Sequence, residues 1–277
     1  MNDKAMRWLS AGLTHSILAG VTLAMLIPIL WMISTSFKTV NEVFEGGLWF
    51  FPSSISLEGY AQVFEQTPFF TWTSNSLFVA VVQTAGQVVI AFFAAYAFAQ
   101  FRFQGREVLF YFVLATMIIP EQAMMIPTFI TINLFDWINT FSGVIVPHLA
   151  SGYAIFLMRQ FLLSVPRELA DAAAVDGCGP LRTLWHVYVP AALPAVSALS
   201  IILFVNHWNE FYWPLMVLMD EQKLTLPIAL VRFQNEGIME WVPTMAVATM
   251  STIPVLILYF IAQKKFVEGF SNSGLKG

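Results

Sequence analysis

Residues Leu77–Ala99 read LFVAVVQTAGQVVIAFFAAYAFA, 23 consecutive positions without a charged side chain. A helix of that length rises about 35 Å, enough to cross the roughly 30 Å hydrocarbon core of a bilayer. Two further charge-free runs, Ser16–Ile33 and Met245–Ala262, repeat the pattern toward the two ends of the chain. Composition agrees with these runs. Hydrophobic residues make up 58% of the 277 and charged residues 11%, against roughly 45–50% and 25% in soluble domains. A water-soluble fold could not bury that much apolar surface.

Working outward from these runs, six segments read as spans: Thr14–Ser34, Ser74–Ala99, Val108–Leu134, Phe141–Leu163, Pro194–Leu218 and Thr244–Gln263. The fold class is therefore all-α, a polytopic membrane protein with about six transmembrane helices in a single domain over residues 1–277. Residues 36–70 form a more polar loop punctuated by Gly46, Gly47, Pro52 and Pro68. Pro120 and Pro127 fall inside the third segment and predict a kinked or broken helix. In a membrane, such a break survives where protein or a water-filled cavity satisfies the freed backbone groups, which makes this stretch a candidate pore lining. Lys4 and Arg7 precede the first apolar stretch as in a secretory signal, but that stretch exceeds an h-region of roughly 7–15 residues. It reads as an uncleaved first span.

Cationic loops stay in the cytoplasm. The six-span arrangement puts Lys4, Arg7, Arg102, Arg106, Arg159, Arg167, Arg182, Lys264, Lys265 and Lys276 on one side, against Lys38, Lys223 and Arg232 on the other. Both termini are expected in the cytoplasm of a bacterial-type inner membrane, in contact with membrane lipid, with residues 36–70 as a periplasmic loop. A net charge of −4 without a basic tract excludes a nucleic-acid partner. The lone Cys178 excludes an internal disulfide. His15, His148, His186 and His207 lie far apart in sequence, so neither a metal site nor a cofactor is expected. No paired carboxylates and no Ser-His-Asp arrangement point to catalysis, and no Gly-x-x-x-x-Gly-Lys-Ser/Thr phosphate loop is present. The chain is not read as an enzyme.

Two stretches carry candidate function. Residues 164–193, between the fourth and fifth segments, read as a cytoplasmic helix-turn-helix. Pro166 starts a helix, Gly177 and Gly179 permit the reversal, and Pro180 restarts it. Leu181, Leu184, Trp185 and Tyr188 then share one apolar face until Pro190 stops the helix. This elbow either docks a partner through its small and acidic residues or merely joins two spans at the interface. The second stretch places Asn206, His207, Trp208, Asn209, Glu210, Tyr212 and Trp213 inside an otherwise apolar span. Ionisable groups there usually face a bundle interior or an aqueous cavity, and aromatics beside amides would suit a sugar. The same aromatics would equally form an interfacial belt, with Asn209 and Glu210 packing structurally. Glu121 and Gln122, beside Pro120, divide between the same two roles.

The elbow resembles the EAA loop of ABC importer permeases, whose pattern is Glu-Ala-Ala, three residues, Gly, nine residues, then Ile-x-Leu-Pro. Asp171, Ala172, Ala173, Gly177, Val187, Val189 and Pro190 occupy the seven positions with the spacing fully kept. Asp replaces Glu, and Val replaces both Ile and Leu. The stretches Met117–Gln122 (MIIPEQ), Trp208–Pro214 (WNEFYWP) and Lys264–Phe270 (KKFVEGF) are similar to permeases of the carbohydrate-uptake group, the maltose-permease inner-membrane subunit among them. The resemblance implies a translocation path for a sugar or related solute. It also implies a second homologous permease subunit, two cytoplasmic ATPase subunits, and a periplasmic or lipid-anchored solute-binding protein. On this reading Glu168, Asp171, Ala172, Ala173, Asp176, Gly177, Val187 and Pro190 couple the path to the ATPase, and the cytoplasmic tail 264–277 touches the ATPase pair. The alternative is a stand-alone secondary transporter driven by an ion gradient, which would carry charged relays within several spans and need no docking elbow.

Overall fold

The computed structural model describes residues 3–45, 50–235 and 238–274. Gly46 and Gly47 of the polar loop, and Lys276 with the end of the tail, lie outside the described residues. In chain order the helices are α1 (Asp3–Ser36), α2 (Val40–Glu45), α3 (Glu58–Gln66), α4 (Phe69–Gln100), α5 (Arg106–Thr116), α6 (Glu121–Leu134) and α7 (Phe141–Ile145). They continue with α8 (Gly152–Ser164), α9 (Arg167–Val175), α10 (Pro180–Thr183), α11 (Val189–Trp208), α12 (Tyr212–Val217), α13 (Leu226–Arg232) and α14 (Trp241–Gly274). Two-residue strands at Gln234–Asn235 and Ile238–Met239 pair antiparallel as a hairpin. Among the described residues four helices are long and apolar enough to cross a membrane, and two bent pairs raise the number to six if each is one span.

The chain divides into two compact units. One comprises Met1–Phe69 and Ala229–Ile253. In it the Trp31 and Trp241 rings meet edge to face at 6.2 Å, and Ser36 Oγ lies 2.8 Å from the Tyr60 hydroxyl. A Cβ at Gly59 would sit 2.6 Å from Val242 Cγ1, so α3 approaches the start of α14 closely. The polar stretch 36–70 thus carries two short helices, α2 and α3, of its own.

The other unit, Phe70–Ile228 with Pro254–Gly277, holds a continuous apolar core. Ala91, Ala95 and Ala99 recur every four residues down one face of α4, and all three are buried. Small residues at that period allow helices to approach closely in lipid, where no hydrophobic force drives helices together. Ala154, Met158 and Leu162 bring the matching face of α8, and Leu184, Tyr188, Ala192, Leu199 and Leu203 complete the cluster. Hydrogen bonds tie the two ends of this unit. At one end Trp72 Nε1 donates to the Glu221 carbonyl at 2.6 Å, and Ser76 Oγ accepts from the Leu226 amide at 2.7 Å. At the other, Tyr96 donates to the Pro180 carbonyl at 3.0 Å, and the Arg159 guanidinium lies 3.9 Å over the Phe110 ring.

The third segment is broken, one of the two forms its prolines predict, and two other spans differ from the sequence expectation. In the third, α5 and α6 meet at 99° across residues 117–120. Pro120 stands just before α6, whereas Pro127 is accommodated inside it. The fourth segment is also broken, by 44°, between His148 and Gly152. Pro147, followed by a new N-cap in which Ser151 Oγ accepts from Ala154 N at 3.3 Å, ends one helix and starts another. The fifth begins earlier than expected, since helix runs on from Pro180 to Trp208 and Pro190 does not stop it. A π-turn at Leu184–Tyr188, with the Val189 amide bonded to the Leu184 carbonyl, lets the helix pass the proline, whose missing N–H would otherwise interrupt the ladder. Leu184 and Tyr188 are consequently buried while Leu181 and Trp185 stay exposed, so the apolar face expected of all four is divided.

Gly152 marks where the two broken spans touch. A Cβ there would lie 2.6 Å from Thr116 Oγ1 and 2.8 Å from the Val113 carbonyl oxygen. Gly152→Val should lower stability by about 1–3 kcal/mol through overpacking, read as the unfolding midpoint of the detergent-solubilised protein. Gly12→Val, whose Cβ meets nothing within 4 Å, should shift that midpoint far less. Equal midpoints for the two variants would contradict the close approach.

Candidate functional site

The broken spans surround a cavity of about 570 Å3 in the larger unit. Met117 and Ile119 reach it from the first break, His148, Ala150 and Ser151 from the second, and Glu210 from the gap between α11 and α12. The unbroken α4 forms the remaining wall with Ser76, Gln83 and Gln87. These residues fall on one helical face, at i, i+7 and i+11, and all three are buried.

One polar network joins the walls. Glu121, the first residue of α6, places Oε1 3.2 Å from His148 Nε2. The Gln87 amide nitrogen donates to the His148 carbonyl, and its Oε1 lies 3.1 Å from His207 Nε2. Because that amide oxygen only accepts, the shared hydrogen belongs to His207 Nε2. A single glutamine on the unbroken helix therefore holds both the second broken span and the end of α11. Glu210 Oε1 accepts from the Trp213 amide at 3.2 Å, while the Trp213 indole donates to the Gly143 carbonyl at 3.1 Å. The same indole meets the His148 ring edge-on at 5.4 Å.

Among the residues singled out for a solute path, Glu121, Asn206, His207, Glu210 and Trp213 line this cavity. Trp208, Asn209, Tyr212 and Gln122 are not among its lining. Trp208 is buried and stacked on Phe204 at 6.0 Å, the Asn209 amide donates to the Val205 carbonyl at 2.8 Å, and Tyr212 and Gln122 are exposed. Helical phase explains the split. Asn206, His207 and Glu210 face inward, and the same turn carries Trp208 into the packed side. Sequence reasoning missed Ser76, Gln83, Gln87 and His148. The first three were detectable as polar residues at helical spacing within an apolar run; His148 was not, because its neighbours come from other helices. Although far apart in sequence, His148 and His207 line one cavity, yet no group of three or more metal-ligating side chains occurs among the described residues.

The elbow has a defined geometry. Helix α9 ends in a Schellman turn: Cys178 N bonds to the Ala173 carbonyl at 2.9 Å, and Gly177 N to the Ala174 carbonyl at 3.0 Å. Gly177 takes φ +81°, the left-handed conformation in which glycine carries no Cβ penalty. A Cβ added there would meet nothing within 4 Å. Glu168, Asp171, Ala172 and Asp176 are exposed, as is Pro190, while Ala173 packs inward and Val187 is partly covered.

A family model described as "Binding-protein-dependent transport system inner membrane component" matches residues 87–271. The chain belongs to this family. It is a permease subunit of an ABC importer, and the ion-gradient alternative is set aside. The permease is 32% identical to the arabinooligosaccharides transport system permease protein AraQ of Halalkalibacterium halodurans, over 90% of this chain and 91% of that one. It is 31% identical to the sulfoquinovosyl glycerol transport system permease protein SmoH of Agrobacterium fabrum, over 91% and 89%. Its fold is similar to that of a chain in the crystal structure of a bacterial ABC transporter involved in the import of the acidic polysaccharide alginate. The TM-score there is 0.83 at 26% identity, covering 96% of the permease and 99% of that chain.

Gln87→Leu should destabilise the permease by roughly 1–3 kcal/mol, because the His207 ring nitrogen and the His148 carbonyl lose their partner in a low-dielectric site. Thermal unfolding in detergent checks this, and an unchanged midpoint would contradict the network.

Proposed function

We propose that the permease forms the translocation path for a sugar or related solute and is driven by a separate ATPase that grips the α9 elbow from the cytoplasm. The observation that carries this reading is the polar cavity bounded by three helix breaks in an otherwise apolar bundle. Breaks there free backbone groups that a passing hydroxylated solute, or water, can satisfy. The relatives' names point the same way, being sugar or sugar-like transport permeases.

Coupling is assigned to Glu168, Asp171, Ala172, Ala173, Asp176, Gly177, Val187 and Pro190. The exposed carboxylates of Asp171 and Asp176 flank a fixed turn, and Leu169, Val175, Leu181 and Trp185 leave apolar surface uncovered around it. Such a rim of charge about an apolar centre suits a protein partner. Because helix is continuous from Pro180 to Trp208, a push on the elbow is transmitted along one rigid element to the cavity wall at Asn206 and His207. That is the rigid-body switch alternating access requires. The distribution of positive residues supports a cytoplasmic elbow and cytoplasmic termini. A second, homologous permease completes the path, a solute-binding protein delivers from the opposite side, and the tail from residue 264 contacts the ATPase pair.

Expression of the tagged permease with its neighbours should bring down an ATPase subunit and a second permease. Gly177→Trp meets no neighbour in the permease's own fold but strains the left-handed turn of the elbow, so it should insert normally yet lose the ATPase and abolish uptake. Gly177→Asn, which tolerates positive φ, should keep both. Normal uptake by the tryptophan variant would overturn the docking role.

A further inference from the structure

We propose that the cavity is a solute subsite that selects against negative charge, with Glu121 and Glu210 as its specificity-determining residues. This rests on the reading that the cavity lies on the solute path. Two carboxylates share one cavity of about 570 Å3, and its lining among the described residues contains no lysine or arginine. Basic groups outside the lining have contacts of their own: Arg159 lies over Phe110, Arg106 pairs with Glu107, and Lys223 bonds the Asn139 carbonyl.

Neither carboxylate is spent by its local contacts. Glu121 offers Oε1 to a histidine ring, and Glu210 offers Oε1 to one backbone amide. Each retains acceptor capacity, as an ionised carboxylate has about four lone-pair sites. Free carboxylate oxygens beside the amides of Gln83, Gln87 and Asn206 accept hydroxyl or ammonium hydrogens well and repel a carboxylate, sulfonate or phosphate. Clefts lined by one sign of charge raise the local concentration of counter-ions and lower that of co-ions. The subsite therefore takes uncharged polyhydroxylated solutes or those bearing an amine.

Thiol labelling measures the selectivity without knowing the solute. Cys178 is the lone cysteine, so Cys178→Ser with Asn206→Cys puts one thiol in the cavity wall. The assembled transporter is treated with a cationic trimethylammonium methanethiosulfonate, its anionic sulfonate counterpart and a neutral analogue, each rate normalised to that of a free small thiol. The cationic reagent should label about tenfold faster than the anionic one. Adding Glu121→Gln and Glu210→Gln should bring the ratio toward unity while the neutral rate stays fixed, which shows that the fold persists; either single variant should give an intermediate ratio. Equal cationic and anionic rates in the parent would overturn the proposal, as would failure of all three reagents to reach the thiol. The co-purified ATPase decides the importer reading independently, so loss of the charge preference alone would leave that reading standing.

Discussion

The constraint on which this structure depends is that hydrocarbon cannot hydrogen-bond a peptide group. Every departure from continuous helix must find protein or cavity-side partners for the groups it frees. Among the described residues of the larger unit, the permease departs from continuous helix at residues 117–120, at 149–151 and at 209–211, besides the connections between spans. All three departures border one cavity. Side chains near these breaks bond back to the main chain: Thr116 to the Val113 carbonyl, Ser151 to the Ala154 amide, and Asn209 to the Val205 carbonyl.

Around that constraint the division of labour is clear. The α4 helix is unbroken, and its alanine ridge at residues 91, 95 and 99 lets α8 and α11 pack closely at one end. Farther along, the same helix turns polar and Gln87 reaches two of the interrupted spans at once. A rigid rod thus serves as both packing surface and polar tether. Helix continuous from Pro180 to Trp208 links the elbow to this tether, so the elbow and the cavity share one mechanical element. The π-turn at Leu184–Tyr188 makes that continuity compatible with Pro190.

Much of this was legible in the sequence. Charge-free runs marked the spans because lipid imposes length and composition on each segment alone. Pro120 announced the first break, and the elbow's glycine at position 177 announced its left-handed turn, since both are local backbone effects. The second break was not legible, for Pro147 falls in a run as apolar as its neighbours, and only the fold shows that Gly152 must let Thr116 approach. Pro190 misled because proline propensity says nothing of the π-turn that absorbs it. In the cavity, Glu121, Asn206, His207 and Glu210 were found as polar intruders in apolar segments. His148 escaped because its significance lies in contacts between helices; Gln87 stood out as a polar residue in an apolar run, but its two partners come from other helices and no single segment reveals them.

Backbone hydrogen exchange tests the central claim most directly, because it asks whether water reaches the breaks. In the permease embedded in lipid nanodiscs, amides at residues 119, 150–151 and 211 should exchange at least about a hundredfold faster than those in the middle of Leu77–Ala99, a ratio corresponding to about 2.7 kcal/mol of protection. Protection at the breaks equal to that within α4 would mean that they are sealed in dry protein, and the cavity would then be no path for a solute.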